Sequence, residues 1–113
     1  MKRYEIWLAD ISAVKDSHVI RGRRPVIIVS NDAVNAGSSI VTVVPLTSKT
    51  TKEALPTHVF LIGQGLDCGS LALCDQVMPL DKSRCLRRIG YVYKPFDRLA
   101  LLHALAVQFE MTA

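Results

Sequence analysis

Gly22-Arg23-Arg24-Pro25-Val26-Ile27-Ile28-Val29-Ser30 runs from a cluster of arginines straight into a β-branched apolar stretch. Pro25 to Ser30 has the composition of a buried strand, with the proline confined to its first residue, where a missing N–H disturbs the ladder least. Gly22 allows the backbone a tight bend just before it. The residue that precedes a proline is biased to extended backbone, which aims the Arg24 side chain away from the following strand. A guanidinium presents donors in a rigid fork that meets two phosphate oxygens at once, where a lysine acts only as a point charge. Two readings of Arg21, Arg23 and Arg24 therefore stand side by side. They are solvated charges that keep a strand edge from pairing, or a site that holds something negative.

Working outward, Tyr4 to Ala9 reads as a strand, with Ile6 and Leu8 on one face and Trp7 on the other. Asp10 to Arg24 is polar, with little periodicity, and reads as a long loop. Asn31-Asp32 and Asn35 to Ser39 mark turns. Ile40 to Leu46 is a second buried strand, and Thr47 sits where it ends. Ser48 to Leu55 is a charged loop, Thr57 to Ile62 a strand, and Gly63 to Asp67 a turn into Gly69 to Val77. Asp81 to Arg87 has room for one or two helical turns, with Asp81 as the cap. Pro95 occupies a first helical position. Beyond it Phe96, Leu99, Leu102, Ala106 and Phe109 recur at the three- and four-residue steps of an amphipathic helix. Leu101 and Leu105 widen that stripe enough for a buried helix or an oligomer contact. The expected fold is mainly β: a mostly antiparallel barrel or sheet with a short helix and a C-terminal helix.

A chain of 113 residues predicts a single domain, 1–113. Half of it is apolar and 21% charged, which excludes a disordered or fibrous protein. The net charge of +4 favours a polyanionic partner, weakly. Glu5 and Asp10 interrupt the basic start before a signal-peptide core can form. No apolar run approaches the ~20 residues of a membrane helix, so no membrane partner is expected. Cys68, Cys74 and Cys85 are odd in number and lack CxxC spacing, the pattern of reduced thiols in a cytosolic protein rather than of a disulfide framework or zinc site.

Chemistry has several candidates, each weak alone. Thr47 offers a hydroxyl to an anion or simply satisfies a turn. His18 is of the residue type that serves as acid or base, but a loop histidine usually has no such job. His58 and His103 read as structural, one in a strand and one in the helix stripe. Asp75-Gln76 is a polar pair facing a site, or a strand terminus bonded to backbone. No paired histidines, HExxH, P-loop or nucleophile elbow is present. No carboxylate cluster suggests a metal or other cofactor.

Order along the chain sharpens these signals. Tyr4-Glu5-Ile6-Trp7-Leu8-Ala9-Asp10 precedes the GRRPVIIVS segment. Val43-Val44-Pro45-Leu46-Thr47-Ser48, Pro56-Thr57-His58-Val59, Cys74-Asp75-Gln76 and Leu80-Asp81-Lys82 follow it. Over nearly its whole length the chain resembles the MazF/PemK family of toxin endoribonucleases from bacterial toxin–antitoxin systems. The resemblance implies an SH3-like twisted antiparallel barrel with a C-terminal helix, assembled as a cytoplasmic homodimer. It implies metal-free cleavage of single-stranded RNA, often mRNA, at short motifs. The resemblance also implies attack by the RNA's own 2′-hydroxyl on the adjacent phosphate, leaving a 2′,3′-cyclic phosphate and a 5′-hydroxyl. It implies, too, a cognate antitoxin whose disordered acidic tail blocks the site, and DNA binding by the two together in autoregulation.

Carried over by residue, Arg24 and Thr47 match the pair assigned to phosphate contact and catalysis. His18 matches a position where some PemK-type members have a histidine, and Asp75 the aspartate that those members use at the site. His18 is the first choice of general base and Asp75 the second. PemK-type members carry an arginine two residues before that aspartate, where this chain has Leu73. The departure moves weight onto Arg24, with Arg23 or Arg84 as substitutes. Arg21, Arg23, Lys49, Thr50, Lys52, Gln76 and Arg84 are the expected RNA contacts. The rivals are a non-catalytic, CcdB-like gyrase poison and a degenerate member that binds RNA without cutting it.

Overall fold

The β-branched run at 26–28 is buried on both faces because its strand has a neighbour on each side. In the computed structural model, which describes residues 1–11, 17–50 and 55–111, β2 (Gly22–Ile28) pairs antiparallel with β1 (Glu5–Ile11), Ile6 lying opposite Ile27 and Ile11 opposite Gly22. Its other edge pairs from Val26 onward with β3 (Ile40–Thr47). Val26 and Ile28 point into one apolar cluster with Ala9, Ile11, Val41, Val43 and Leu80. Ile27 points into the other, with Ile6, Val44, Leu46, Leu61 and Leu101. Two such layers are what a central strand needs.

The strand starts three residues earlier than its composition suggests, and β1 runs on to Ile11, so the intervening loop is shorter than expected. Arg23 lies opposite Asp10 and Arg24 opposite Ala9 in the β1–β2 ladder, so these charges do not keep the edge from pairing. Gly22 begins β2 at φ +89°, the left-handed region where a Cβ is strained.

β3 divides its far edge between two partners. Ile40 to Val43 pair with β6 (Met78–Asp81), and Leu46 and Thr47 with β5 (Ser70–Leu73). β5 also pairs with β4 (His58–Leu61), and β7 (Cys85–Tyr91) covers the outer edge of β1. The resulting order is β4-β5-β3-β2-β1-β7, with β6 beside β3 and every pairing antiparallel. This is the expected mainly β architecture.

Four local expectations are corrected. The turns expected at 31–39 contain a helix, α1 (Asp32–Gly37), capped by the Asn31 side chain, which accepts from the Ala33 N–H at 2.7 Å. The stretch 69–77 is a strand only to Leu73 and then a 3-10 turn, Cys74–Gln76. The helix expected at 81–87 shrinks to one 3-10 turn, Lys82–Arg84, where Asp81 makes no side-chain cap bond, and β7 follows at once. The C-terminal helix α2 (Pro95–Phe109) has Pro95 at its start but buries a different face. Leu101 and Ala104 are enclosed, while Phe96, Leu99, Leu102 and Phe109 are exposed. Small Ala104 lets the helix sit close on β4 and the Cys74–Gln76 turn. No helix among the described residues is long and apolar enough to cross a membrane.

Candidate active site

The end of β3 and the start of β2 lie side by side, and the strand-terminal residues of both open onto the surface. Arg24 is held there by main-chain carbonyls. Its Nε and Nη2 donate to Arg21 O at 2.9 and 2.7 Å, and Nη1 donates to Leu46 O at 3.2 Å. Those bonds engage three of the five guanidinium N–H groups, leaving one on each terminal nitrogen. Burial lowers the Arg24 pKa from its ordinary value, yet an arginine remains charged at any physiological pH.

Arg24 separates two clefts. The larger, about 520 Å³, is lined by His18, Ile20, Thr47, Ser48, Lys49, His58, Asp75 and Gln76, with Leu55, Leu71 and Leu73 as apolar wall. The smaller, about 380 Å³, is lined by Arg23, Arg87, Asp67, Cys68, Ser70 and Thr47 among others. Arg24, Thr47 and Ser48 border both. Thr47 serves the turn: its Oγ1 accepts from the Lys49 N–H at 3.2 Å. That bond uses a lone pair and leaves the O–H to donate. Turn and anion contact are therefore compatible roles.

The 3-10 turn at 74–76 contributes Asp75 and Gln76 to the larger cleft. Asp75 Oδ1 lies 3.1 Å from His58 Nε2, so His58 belongs to this cleft and is more than a strand residue. Gln76 Oε1 accepts from the Ile20 N–H at 2.7 Å. It ties down the loop that carries His18, which is exposed, and keeps its own amide N–H groups free. At the start of the turn the buried Cys74 thiol is pushed up to about 12, by burial first and by the Asp75 charge second, so it stays protonated.

The four candidate catalytic residues, Arg24, Thr47, His18 and Asp75, thus line one cleft, with Lys49 and Gln76. Arg23 lines the smaller cleft. Arg21 contributes its carbonyl, while Thr50 and Arg84 are exposed and line neither cleft. Lys52 lies outside the described residues. Arg87 and His58 were not singled out as site residues. Recognising β7 and the β4–β5 pairing would have brought them in. Among the described residues no three His, Cys, Asp or Glu side chains converge on a possible metal position, and the three cysteines are unpaired thiols.

The chain as a whole has known counterparts. The chain matches the family of PemK-like, MazF-like toxins of type II toxin–antitoxin systems over residues 2–106. It belongs to that family. It is 37% identical over 94 residues to the endoribonuclease MazF of Staphylococcus saprophyticus, covering 81% of this chain and 78% of that one. Among solved structures, it superposes on the Mycobacterium tuberculosis toxin MazF-mt6 with a TM-score of 0.79 at 27% identity, covering 96% and 99% of the two chains. A mycobacterial endoribonuclease in complex with its cognate antitoxin gives a TM-score of 0.81 at 26% identity, covering 100% and 98%. The GRRPVIIVS and PLTS segments that frame the clefts fall within the family match.

Proposed function

We propose that this toxin is a metal-independent endoribonuclease that cleaves single-stranded RNA, with Arg24 as the phosphate-binding centre. The observation that carries the proposal is the fixed guanidinium on the divide between two clefts, with N–H groups to spare and the Thr47 hydroxyl beside it. In the proposed step a base removes the 2′-hydroxyl proton, the 2′-oxygen bonds to phosphorus, and the bond from phosphorus to the 5′-oxygen breaks. The departing oxygen takes a proton, and the products are a 2′,3′-cyclic phosphate and a 5′-hydroxyl. Charge that builds on the phosphoryl oxygens meets donors already in position, and removing one such donor costs roughly 10²–10³-fold.

Of the two candidate bases, Asp75 is better supported. It stands on a turn packed against β3, β4 and α2 and has a side-chain partner in His58, whereas His18 is on an exposed loop. His18 then serves as proton donor to the 5′-oxygen, and general acid–base help of this kind is worth about 10²–10⁴-fold. Unpaired bases, which sequence-specific RNA recognition mostly targets, fit a cleft lined by the apolar Leu55, Leu71 and Leu73 together with the polar Ser48, Lys49 and Gln76. The basic rims, with Arg23, Arg87 and Lys49, equally suit the acidic tail of an antitoxin. We place the toxin in the cytoplasm, as a homodimer.

Digestion of single-stranded RNA in excess EDTA tests the reaction type. Cyclic phosphate and 5′-hydroxyl ends are expected. Intact RNA, or 5′-phosphate ends that need added Mg²⁺, would contradict it.

A further inference from the structure

His58 stands on β4 directly opposite Leu73 on β5, so both side chains lie on one face of the sheet. Its side chain is 8% exposed, against 31% for Asp75. Both ring nitrogens have partners. The Leu55 backbone N–H points at Nδ1 from 3.5 Å, and Nε2 faces Asp75 Oδ1 at 3.1 Å. A backbone N–H can only donate, so Nδ1 is the bare nitrogen and Nε2 carries the proton; the tautomer follows from the partners. His58 in that form donates to the carboxylate through Nε2, and its one lone pair, on Nδ1, faces the Leu55 N–H.

We propose that His58 is a positioning residue for Asp75. Its Nε2–H holds Oδ1 and leaves Oδ2 to face the RNA 2′-hydroxyl. The inference rests on the reading of Asp75 as base. A carboxylate on a single 3-10 turn would otherwise sample several rotamers, and freezing the productive one beforehand removes an entropic part of the barrier. The other charged or titratable groups around it are His18, Arg24 and Lys49, which line the same cleft, and the adjacent, protonated Cys74 thiol. Among the described residues, His58 is the side chain that hydrogen-bonds this carboxylate. Leu73, its partner across the ladder, is apolar.

The test is a double-mutant cycle on RNA cleavage, with kcat and KM measured separately. His58→Phe keeps the ring volume and removes the donor, and His58→Leu is a second donor-less replacement in case the phenyl ring does not fit. His58→Gln restores an amide N–H near the place of Nε2. Either donor-less variant is expected to lower kcat about 10–100-fold, the scale of a small misplacement of a catalytic group. KM should stay within about twofold, because ground-state binding is untouched. His58→Gln should recover most of the lost rate. In an Asp75→Asn background the donor-less change should cost nothing further, since the two residues act as one unit.

Wild-type kcat in the donor-less variants, losses that multiply in the double variant, or a His58→Gln enzyme no faster than His58→Phe would each overturn the positioning role. If Asp75→Asn itself keeps wild-type kcat, the base assignment falls and the positioning role with it. A slow Asp75→Asn beside a fast His58→Phe removes the positioning role alone.

Discussion

Arg24 gains its place in the site from its backbone neighbours. Lying before Pro25, it is held extended, and Arg21 O and Leu46 O clamp three of its N–H groups. A side chain so fixed need not be ordered when a phosphate arrives. The extended backbone was legible in the sequence, because the residue before a proline has few conformations to choose from; the clamp was not, because Leu46 comes from another strand. His58 was not, since 17 residues separate it from Asp75 and only the β4–β5 ladder joins them. The cysteines give a prediction at this scale. Cys68 is exposed and Cys74 buried, so an alkylating reagent at pH 8 should label Cys68 rapidly and spare Cys74 until the protein unfolds. The Cys74 thiol, at about 12 in the fold against an ordinary 9.0, keeps its proton where the unfolded chain has lost it. Its contribution is therefore complete below pH 9 and lost as pH rises towards 12. Urea midpoints should fall over that window in wild type and less so in Cys74→Ala.

At the scale of elements, strands with an alternating, β-branched or continuous apolar run were legible, and β6 and β7, which lack one, were not. β7 reads CLRRIGY with a burial pattern of mostly exposed positions, so its pairing with β1 overrides an unremarkable sequence. It also depends on a close approach, since a Cβ on Gly90 would overlap the carbonyl of Gln64. In α2 leucines occur on both sides of the helix, so periodicity alone does not choose the buried face. Ala104 chooses it, because its small side chain allows close packing on β4. β2 makes a sharper prediction through Gly22, whose φ of +89° meets no steric obstacle from neighbours. Gly22→Ala should destabilise by about 1–2 kcal/mol through backbone strain alone, read as a lower denaturant midpoint at unchanged m. No loss of stability would mean that the loop enters β2 by a different path.

For the whole molecule, fold class was legible from composition and from the order of strands, because few arrangements bury so many apolar residues in 113 positions. The clefts were less so. They arise where β3 changes partner from β6 to β5, which leaves Arg24, Thr47 and Asp75 around one opening. The molecule also carries an apolar surface on α2, where Phe96 is 80% and Leu99 66% exposed, of the kind that marks an interface. Sedimentation should therefore give twice the 12.5 kDa chain mass. Leu99→Glu, at an exposed position where substitution costs within about 0.5 kcal/mol of fold stability, should shift it towards the monomer. A Leu99→Glu protein that remains fully dimeric would remove α2 from the interface.

The central claim is that the clamped Arg24 guanidinium is the phosphate-binding centre, and single-turnover cleavage of a fixed RNA in EDTA tests it most directly. Arg24→Ala and Arg24→Lys should both be slower than wild type by about 10²–10³-fold. Lysine should not rescue, because one ammonium cannot bond both carbonyls and still present a fork to the phosphate. An Arg24→Ala enzyme within a few-fold of the wild-type rate would contradict the account.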